Sequence, residues 1–282
     1  MNIIDGKAVS TKIKENIKKE VEYNNYHIKL LVILVGDDPA SKVYVKSKEK
    51  ACKLCGIESE TILLDANVDE DEIINVIEKA NNDVNVNGIL LQLPLPKGFD
   101  SQKIINKISP LKDVDGLNVF NQGKLFMGDK LITPCTPKGI IRLLEEYNVD
   151  IKGKNAVVIG RSLLVGKPAS MLLLEKNATV TMAHSRTTNL TEICQNAYIL
   201  VSAVGKPNFI KKEMVKNGAV LIDVGINRTD DGLVGDVDYN DVKDKVDLIT
   251  PVPGGVGPMT IACLMENVLL CYKLQKGIEK WN

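Results

Sequence analysis

The feature that most restricts the fold of this chain is an alternation. Short apolar runs are separated by stretches whose apolar residues recur every three or four positions. Val9, Ile13, Ile17 and Val21 fall four apart, which predicts a helix over residues 7–23. Runs that read as buried strands follow at 30–35, 57–64 and 88–93, with helices near 40–55 and 69–80 between them. Such a β-α-β-α series implies a mainly parallel sheet covered by helices. The pattern lapses over residues 109–137, a stretch rich in Pro, Gly and Asp and long for a loop. It resumes with strands near 155–159, 178–182, 197–203, 219–223 and 246–249. Asp231-Gly232 is a hairpin signal, and a last helix is expected over 259–276. We therefore expect two α/β domains, residues 1–137 and a Rossmann-type doubly wound parallel sheet over 138–258. Residues 259–282 would form a helix returning to the first domain.

Several function classes are disfavoured by composition. Lys+Arg and Asp+Glu both number 36 and aromatics make up 4%, so there is neither a basic field nor stacking material for nucleic acid. The longest unbroken apolar run, residues 30–35, is far too short to span a bilayer, and "MNIIDGKAVS" has neither a basic segment nor an apolar signal core. A cytoplasmic protein without a membrane partner is expected. Of six cysteines only Cys52 and Cys55 form a C-x-x-C, and His27 and His184 are the only histidines, so no metal site is assigned. The cysteines read as reduced thiols used as small apolar residues on a helix that Gly56 ends.

Between an apolar strand and a helix lies "GRSLLVGKP", residues 160–168. A nucleotide-hydrolase P-loop needs four residues between its glycines and a Ser or Thr after the Lys. Here five residues separate Gly160 from Gly166, and Pro168 follows Lys167, which leaves a dinucleotide loop as the better reading. NAD sites place an acid at the end of the second strand for the ribose 2′-OH. That strand ends instead in "AHSRT", with Ser185 available as a donor. The chain has four arginines, and two of them, Arg161 and Arg186, fall at this point. They are either solvated surface residues or partners for a 2′-phosphate, and the second reading makes NADP the cofactor.

Other candidates are polar residues in marked places. Tyr44 and Lys48 are one helical turn apart on one face, which alone describes a surface contact as well as a site. Gln92 in "LLQLPLP" ends an apolar strand, where open α/β sheets place ligands; it is either a strand terminator or a site residue. "KDVDG", residues 112–116, is a turn or a binding loop. "PVPGGVGPMT", 251–260, has the mixture of rigid and permissive backbone that suits close approach to a ligand.

Taken together, the motifs closely resemble the bifunctional methylenetetrahydrofolate dehydrogenase/cyclohydrolase family. They are Y-V-x-x-K at 44–48, Q-L-P-L-P at 92–96, K-D-V-D-G at 112–116, P-C-T-P-x-G at 134–139, G-R-S-x-x-V-G-x-P at 160–168, V-G-I-N at 224–227 and P-G-G-V-G-P-M-T at 253–260. Two departures are visible: Val119 stands where the family usually has proline, and Ala183 where cysteine often precedes the His-Ser pair. The resemblance implies oxidation of 5,10-methylenetetrahydrofolate with NADP, then hydrolysis of the 5,10-methenyl product to 10-formyltetrahydrofolate, in a cleft between two domains of a cytoplasmic homodimer. Hydride loss from a carbon between two nitrogens gives a delocalised cation with no proton to remove. Water attack on that cation does need a base, and Lys48 is the candidate. A lysine base must be neutral, whereas ordinary lysines titrate near about 10.4; burial and the substrate's own positive charge both favour the neutral amine. By resemblance, Gln92 tunes and orients that lysine, Tyr44 packs and hydrogen-bonds at the pterin, and Asp115 binds the amino-pyrimidine edge. Leu91, Leu93 and the run Pro253, Gly254, Gly255, Val256 and Gly257 line the folate site. Gly160, Arg161, Ser162, Gly166, Ser185, Arg186 and the backbone of Ile226 hold NADP. Two rivals share parts of the pattern. A shikimate-type NADP-dependent dehydrogenase would use a Lys-Asp pair, and a non-catalytic nucleotide sensor would bind NADP without turnover.

Overall fold

The computed structural model of the protein describes residues 2–230 and 232–280. They fall into two compact units, one of Thr11–Pro134 with the chain from Ile261 onward, the other of residues 2–10 with Cys135–Thr260. The sequence expectation placed residues 2–10 with the first domain. They cluster with the second because β1 (Asn2–Ile3) pairs with a strand of its sheet.

After α1 (Gly6–Tyr23), the first unit is built on β2 (Lys29–Val35), α2 (Pro39–Cys55), β3 (Glu58–Leu64), α3 (Glu70–Asn82) and β4 (Gly88–Leu91). The three strands pair in the order β3-β2-β4, all parallel. β2 is central and buried on both faces, which explains its unbroken apolar run. Leu31, Ile33 and Val35 meet Ile73 and Ile77 of α3 in one core layer. On the other side, Gly88 leaves room for Val114, Leu30 and Val268, since a Cβ there would stand 2.5 Å from Val114. α4 (Ser101–Ile105) and α5 (Val119–Phe126) follow β4. The long Pro/Gly/Asp-rich stretch is therefore not wholly irregular. Asn118 caps α5 by accepting from Phe120 N. Val119 N donates to Asn106 Oδ1 at 3.0 Å, a bond that a proline at this position could not make.

The second unit contains α6 (Cys135–Glu146), β5 (Asn155–Ile159), α7 (Gly166–Glu175), β6 (Thr179–Ala183), α8 (Leu190–Gln195), β7 (Ile199–Ser202) and β8 (Val220–Asp223). A hairpin of β9 (Asn227–Thr229) and β10 (Gly232–Val234), then α9 (Tyr239–Val242) and β11 (Leu248–Ile249), complete it. β9 and β10 are antiparallel, as the hairpin signal predicts, although Asp231 of that signal lies outside the described residues. The six-stranded sheet runs β1-β11-β8-β7-β5-β6, parallel throughout. Counted from β5, the order is 2-1-3-4-5 with β1 added at the edge. This is a doubly wound sheet whose strand order reverses between β5 and β7. α10 (Val256–Gln275) closes the chain. Its first turn belongs to the second unit and the rest to the first.

Candidate active site

Open parallel sheets offer ligands the carboxyl ends of their strands, most of all where strand order reverses. In the first unit that point lies between β2 and β4. α2 enters there on a firm start: Asp38 Oδ2 accepts from Ser41 N at 2.7 Å, and Pro39 occupies the first turn. It ends on Gly56, left-handed at φ 73°. Between these caps Tyr44 is exposed and Lys48 half-buried, one turn apart. Lys48 Nζ donates to Gln92 Oε1 at 2.9 Å. Gln92 is only 6% exposed and stands one residue beyond β4, with Leu91 buried before it and Leu93 half-buried after it. Its Nε2 donates to Leu93 O at 2.5 Å and its backbone N to Ile33 O at 2.9 Å. The amide is thus fixed with its oxygen toward the lysine. A neutral amide oxygen orients the amine.

The 112–116 loop runs beside β4. Asp113 forms a parallel bridge with Ile89, and Ile89 N donates to Lys112 O at 2.7 Å. Lys112 is buried and donates from Nζ to Ala80 O and Asp83 O, capping the end of α3; burial lowers its pKa. Asp113, 1% exposed, accepts from Leu117 N, Asn118 N and Asn121 Nδ2, and burial pushes its carboxyl up to about 6. Gly116 is left-handed at φ 66°, and a Cβ there would lie 2.8 Å from Thr133 C. The loop is therefore a knot tied by Asp113, a role the sequence did not reveal. Asp115, half-buried, is the carboxylate left over: among the described residues it accepts no hydrogen bond.

In the second unit, β5 leads into Gly160 at φ 134°, where a Cβ would meet Ala203 O at 2.6 Å. A Cβ on Gly166 would lie 2.2 Å from Gly160 O, so the loop closes on itself only with glycine at both ends. Ser162 Oγ accepts from Val165 N and Gly166 N at the start of α7. Arg161, Ser185 and Arg186 are exposed. The turn after β6 is shaped by His184, whose Nδ1 accepts from Arg186 N at 3.1 Å while its O accepts from Thr187 N. No carboxylate stands in 183–187, and the donors present suit a phosphorylated ribose. Ile226 is 46% exposed after β8.

The proline-glycine run does more internal packing than its sequence suggested. A Cβ on Gly6 would lie 1.9 Å from Gly255 O, and one on Gly255 would lie 2.6 Å from Pro251 O. Lys7 N donates to Gly254 O at 3.0 Å. Gly254 is left-handed at φ 112° and Val256 buried, whereas Pro253 is exposed and Gly257 meets only Ile226 Cδ1 at 3.6 Å. The six cysteines are buried and none is in a disulfide; burial holds the Cys52 thiol up at about 12 and Cys55 at about 11. Among the described residues no cluster could hold a metal ion and no helix is long and apolar enough to cross a membrane.

Two family models match the chain. The tetrahydrofolate dehydrogenase/cyclohydrolase catalytic domain matches residues 4–115, and the NAD(P)-binding domain of the same name matches residues 134–276. A bifunctional protein FolD from Campylobacter hominis is 56% identical over 273 residues, covering 95% of this chain and 96% of that protein. The crystal structure of the bifunctional FolD methylenetetrahydrofolate dehydrogenase/cyclohydrolase from Campylobacter jejuni superposes with a TM-score of 0.94 at 44% identity, over 97% of this chain and 99% of that one. The Trypanosoma brucei methylenetetrahydrofolate dehydrogenase-cyclohydrolase, solved with NADP cofactor and inhibitor, gives 0.92 at 35% identity, covering 99% and 98%.

Proposed function

The chain belongs to the tetrahydrofolate dehydrogenase/cyclohydrolase family, and from that premise we propose which of its residues perform the two reactions. It is an NADP-dependent bifunctional enzyme of one-carbon metabolism. It oxidises 5,10-methylenetetrahydrofolate to the 5,10-methenyl compound and hydrolyses that to 10-formyltetrahydrofolate.

The observation that carries the assignment is the Lys48–Gln92 hydrogen bond at the carboxyl end of β4. Lys48 acts as the base that takes a proton from the water attacking the methenyl cation. Gln92 fixes the amine's position through a neutral amide oxygen. Tyr44, on the same face of α2, packs and hydrogen-bonds at the pterin. Asp115, set outside the hydrogen bonds that occupy Asp113, accepts from the pterin's amino-pyrimidine edge. Leu91 and Leu93 flank Gln92, and Pro253–Gly257 contribute backbone and apolar surface to folate.

Bound NADP supplies the hydride acceptor for the oxidation. Gly160 and Gly166 shape the phosphate loop, Ser162 fixes the start of α7, Arg161, Ser185 and Arg186 bind the 2′-phosphate, and the Ile226 backbone completes the site. We also take the enzyme to be a cytoplasmic homodimer. The outer edge of β3, which pairs only with β2 among the described residues and where Leu63 is 61% exposed, supports an association of copies, and buried cysteines outside any disulfide suit a reducing compartment. One assay following NADP+ reduction together with methenyltetrahydrofolate formation and decay tests the function. Both signals are expected from one preparation. NADP+ reduction with shikimate in place of the folate would contradict the reading.

A further inference from the structure

Two buried carboxylates that the site assignment does not use hold the carboxyl ends of β7 and β8. Asp236 is 0% exposed and accepts five hydrogen bonds. Three come from successive backbone N–H groups, Val204 at 2.7 Å, Gly205 at 3.2 Å and Lys206 at 3.0 Å. Asn227 Nδ2 donates at 3.0 Å and Ser202 Oγ at 3.3 Å. Asp223 in turn accepts from the N–H groups of Gly225, Asp236 and Val237, each at 2.9 Å. Two glycines follow from this arrangement. A Cβ on Gly225 would stand 2.2 Å from Asp236 Oδ1, and one on Gly235 would stand 1.8 Å from Asp223 Oδ2.

Burying a carboxylate is costly unless its oxygens are fully met by donors, so this position is not one that packing alone would fill with an acid. What the acid does is converge three consecutive N–H groups on one point and set the shape of 203–206. That segment lies against the phosphate loop: Ala203 N donates to Ile159 O at 2.8 Å, and Ala203 O occupies the space beside Gly160. β5 and β7 are the neighbours between which strand order reverses, where doubly wound sheets receive a dinucleotide. Through Asn227 the same carboxylate also reaches the V-G-I-N turn that carries Ile226.

We propose that Asp236 is a positioning residue for NADP, shaping the 203–206 segment and the 224–227 turn into one surface for the dinucleotide without touching folate. This rests on the cofactor reading above. Asp236→Asn keeps the volume but replaces one accepting oxygen with a donor facing N–H groups. The KM for NADP+ should rise about tenfold or more, as expected when buried donors lose a charged acceptor. The kcat at saturating NADP+ and the hydrolysis of supplied methenyltetrahydrofolate should stay within about twofold of the parent, since the binding that is weakened is common to the ground and transition states. Asn227→Ala, which removes one of the five bonds, should shift the same KM by less, and it decides the matter alone if Asp236→Asn does not fold. An unchanged KM in the folded variants, or a fall of both activities together, overturns the proposal. A parent enzyme that does not reduce NADP+ with methylenetetrahydrofolate overturns the cofactor reading itself, and the positioning role with it.

Discussion

At residue 115 a half-buried carboxylate accepts no hydrogen bond among the described residues, while two positions earlier Asp113 is buried and accepts three. Asp115→Ala should therefore depress dehydrogenase and cyclohydrolase together, because both begin from the same bound folate, with the KM for NADP+ spared. Steady-state rates of both reactions check this, and full activity in both would leave Asp115 a bystander. For Asp113 the consequence is in stability. Its carboxyl is raised from 3.8 to about 6, with burial the largest cause. The folded state therefore binds the proton more tightly than the unfolded state, and stability from this group falls as pH rises from about 4 to about 6, then levels off. At about 1.4 kcal/mol per pH unit the parent should lose about 3 kcal/mol relative to Asp113→Asn across that window. Denaturant titrations of both proteins at pH 4 and pH 7 measure the difference, and parallel pH profiles would contradict it. The family resemblance singled out Lys48, Gln92 and Asp115, whereas the local pattern alone left Lys48 equally a surface contact and residues 112–116 equally a turn. That local pattern could not separate Asp113 from Asp115 either, since two aspartates around a valine carry no mark of which one faces inward. Only the contacts with Asn118 and Asn121, five and eight residues on, distinguish them.

The elements that the sequence announced are those whose pattern is local. β2 and the inner strands β5, β7 and β8 of the second sheet are apolar because both faces are covered, and α2 has a cap at each end that can be read in order: Asp38, Pro39, Gly56. Residues 119–126 gave no such sign. Val119, Asn121 and Gly123 are poor helix formers, and α5 is held instead by the Asn118 cap and by the bond from Asn121 to Asp113. β1, at two residues, is too short to carry a period, and its partner β11 lies far along the chain. On the proposed reading, cofactor choice is set at the turn between β6 and α8. It presents Ser185 and Arg186 and no acid, with Arg161 exposed on the neighbouring loop after β5. Replacing Arg161 and Ser185 together by Ala should raise the KM for NADP+ and leave that for NAD+ nearly unchanged. Equal losses with both cofactors would reassign these residues to the pyrophosphate or to loop folding.

On the scale of the whole molecule, one chain carries two reactions that share a folate and differ in what they ask of the protein. The oxidation needs two bound molecules in register and no base, since its product is a delocalised cation. The hydrolysis needs a base and no cofactor. On the proposed reading the residues divide accordingly, with Lys48 on α2 and Gln92 just beyond β4 in the first unit, and the glycine loop of 160–166 after β5 in the second. The central claim is that Lys48 serves the second reaction as its base and the first only in positioning. Lys48→Met keeps an unbranched stem and removes the amine, so α2 should still pack. The deciding measurement is the rate of both reactions on a single preparation of this variant. Hydrolysis of methenyltetrahydrofolate should fall by about 10²–10⁴-fold, the loss typical of a general base. NADP+ reduction should persist at a measurable rate, so methenyltetrahydrofolate accumulates where the parent consumes it. Lost NADP+ reduction with intact hydrolysis of supplied methenyltetrahydrofolate would contradict the account and remove Lys48 as the base.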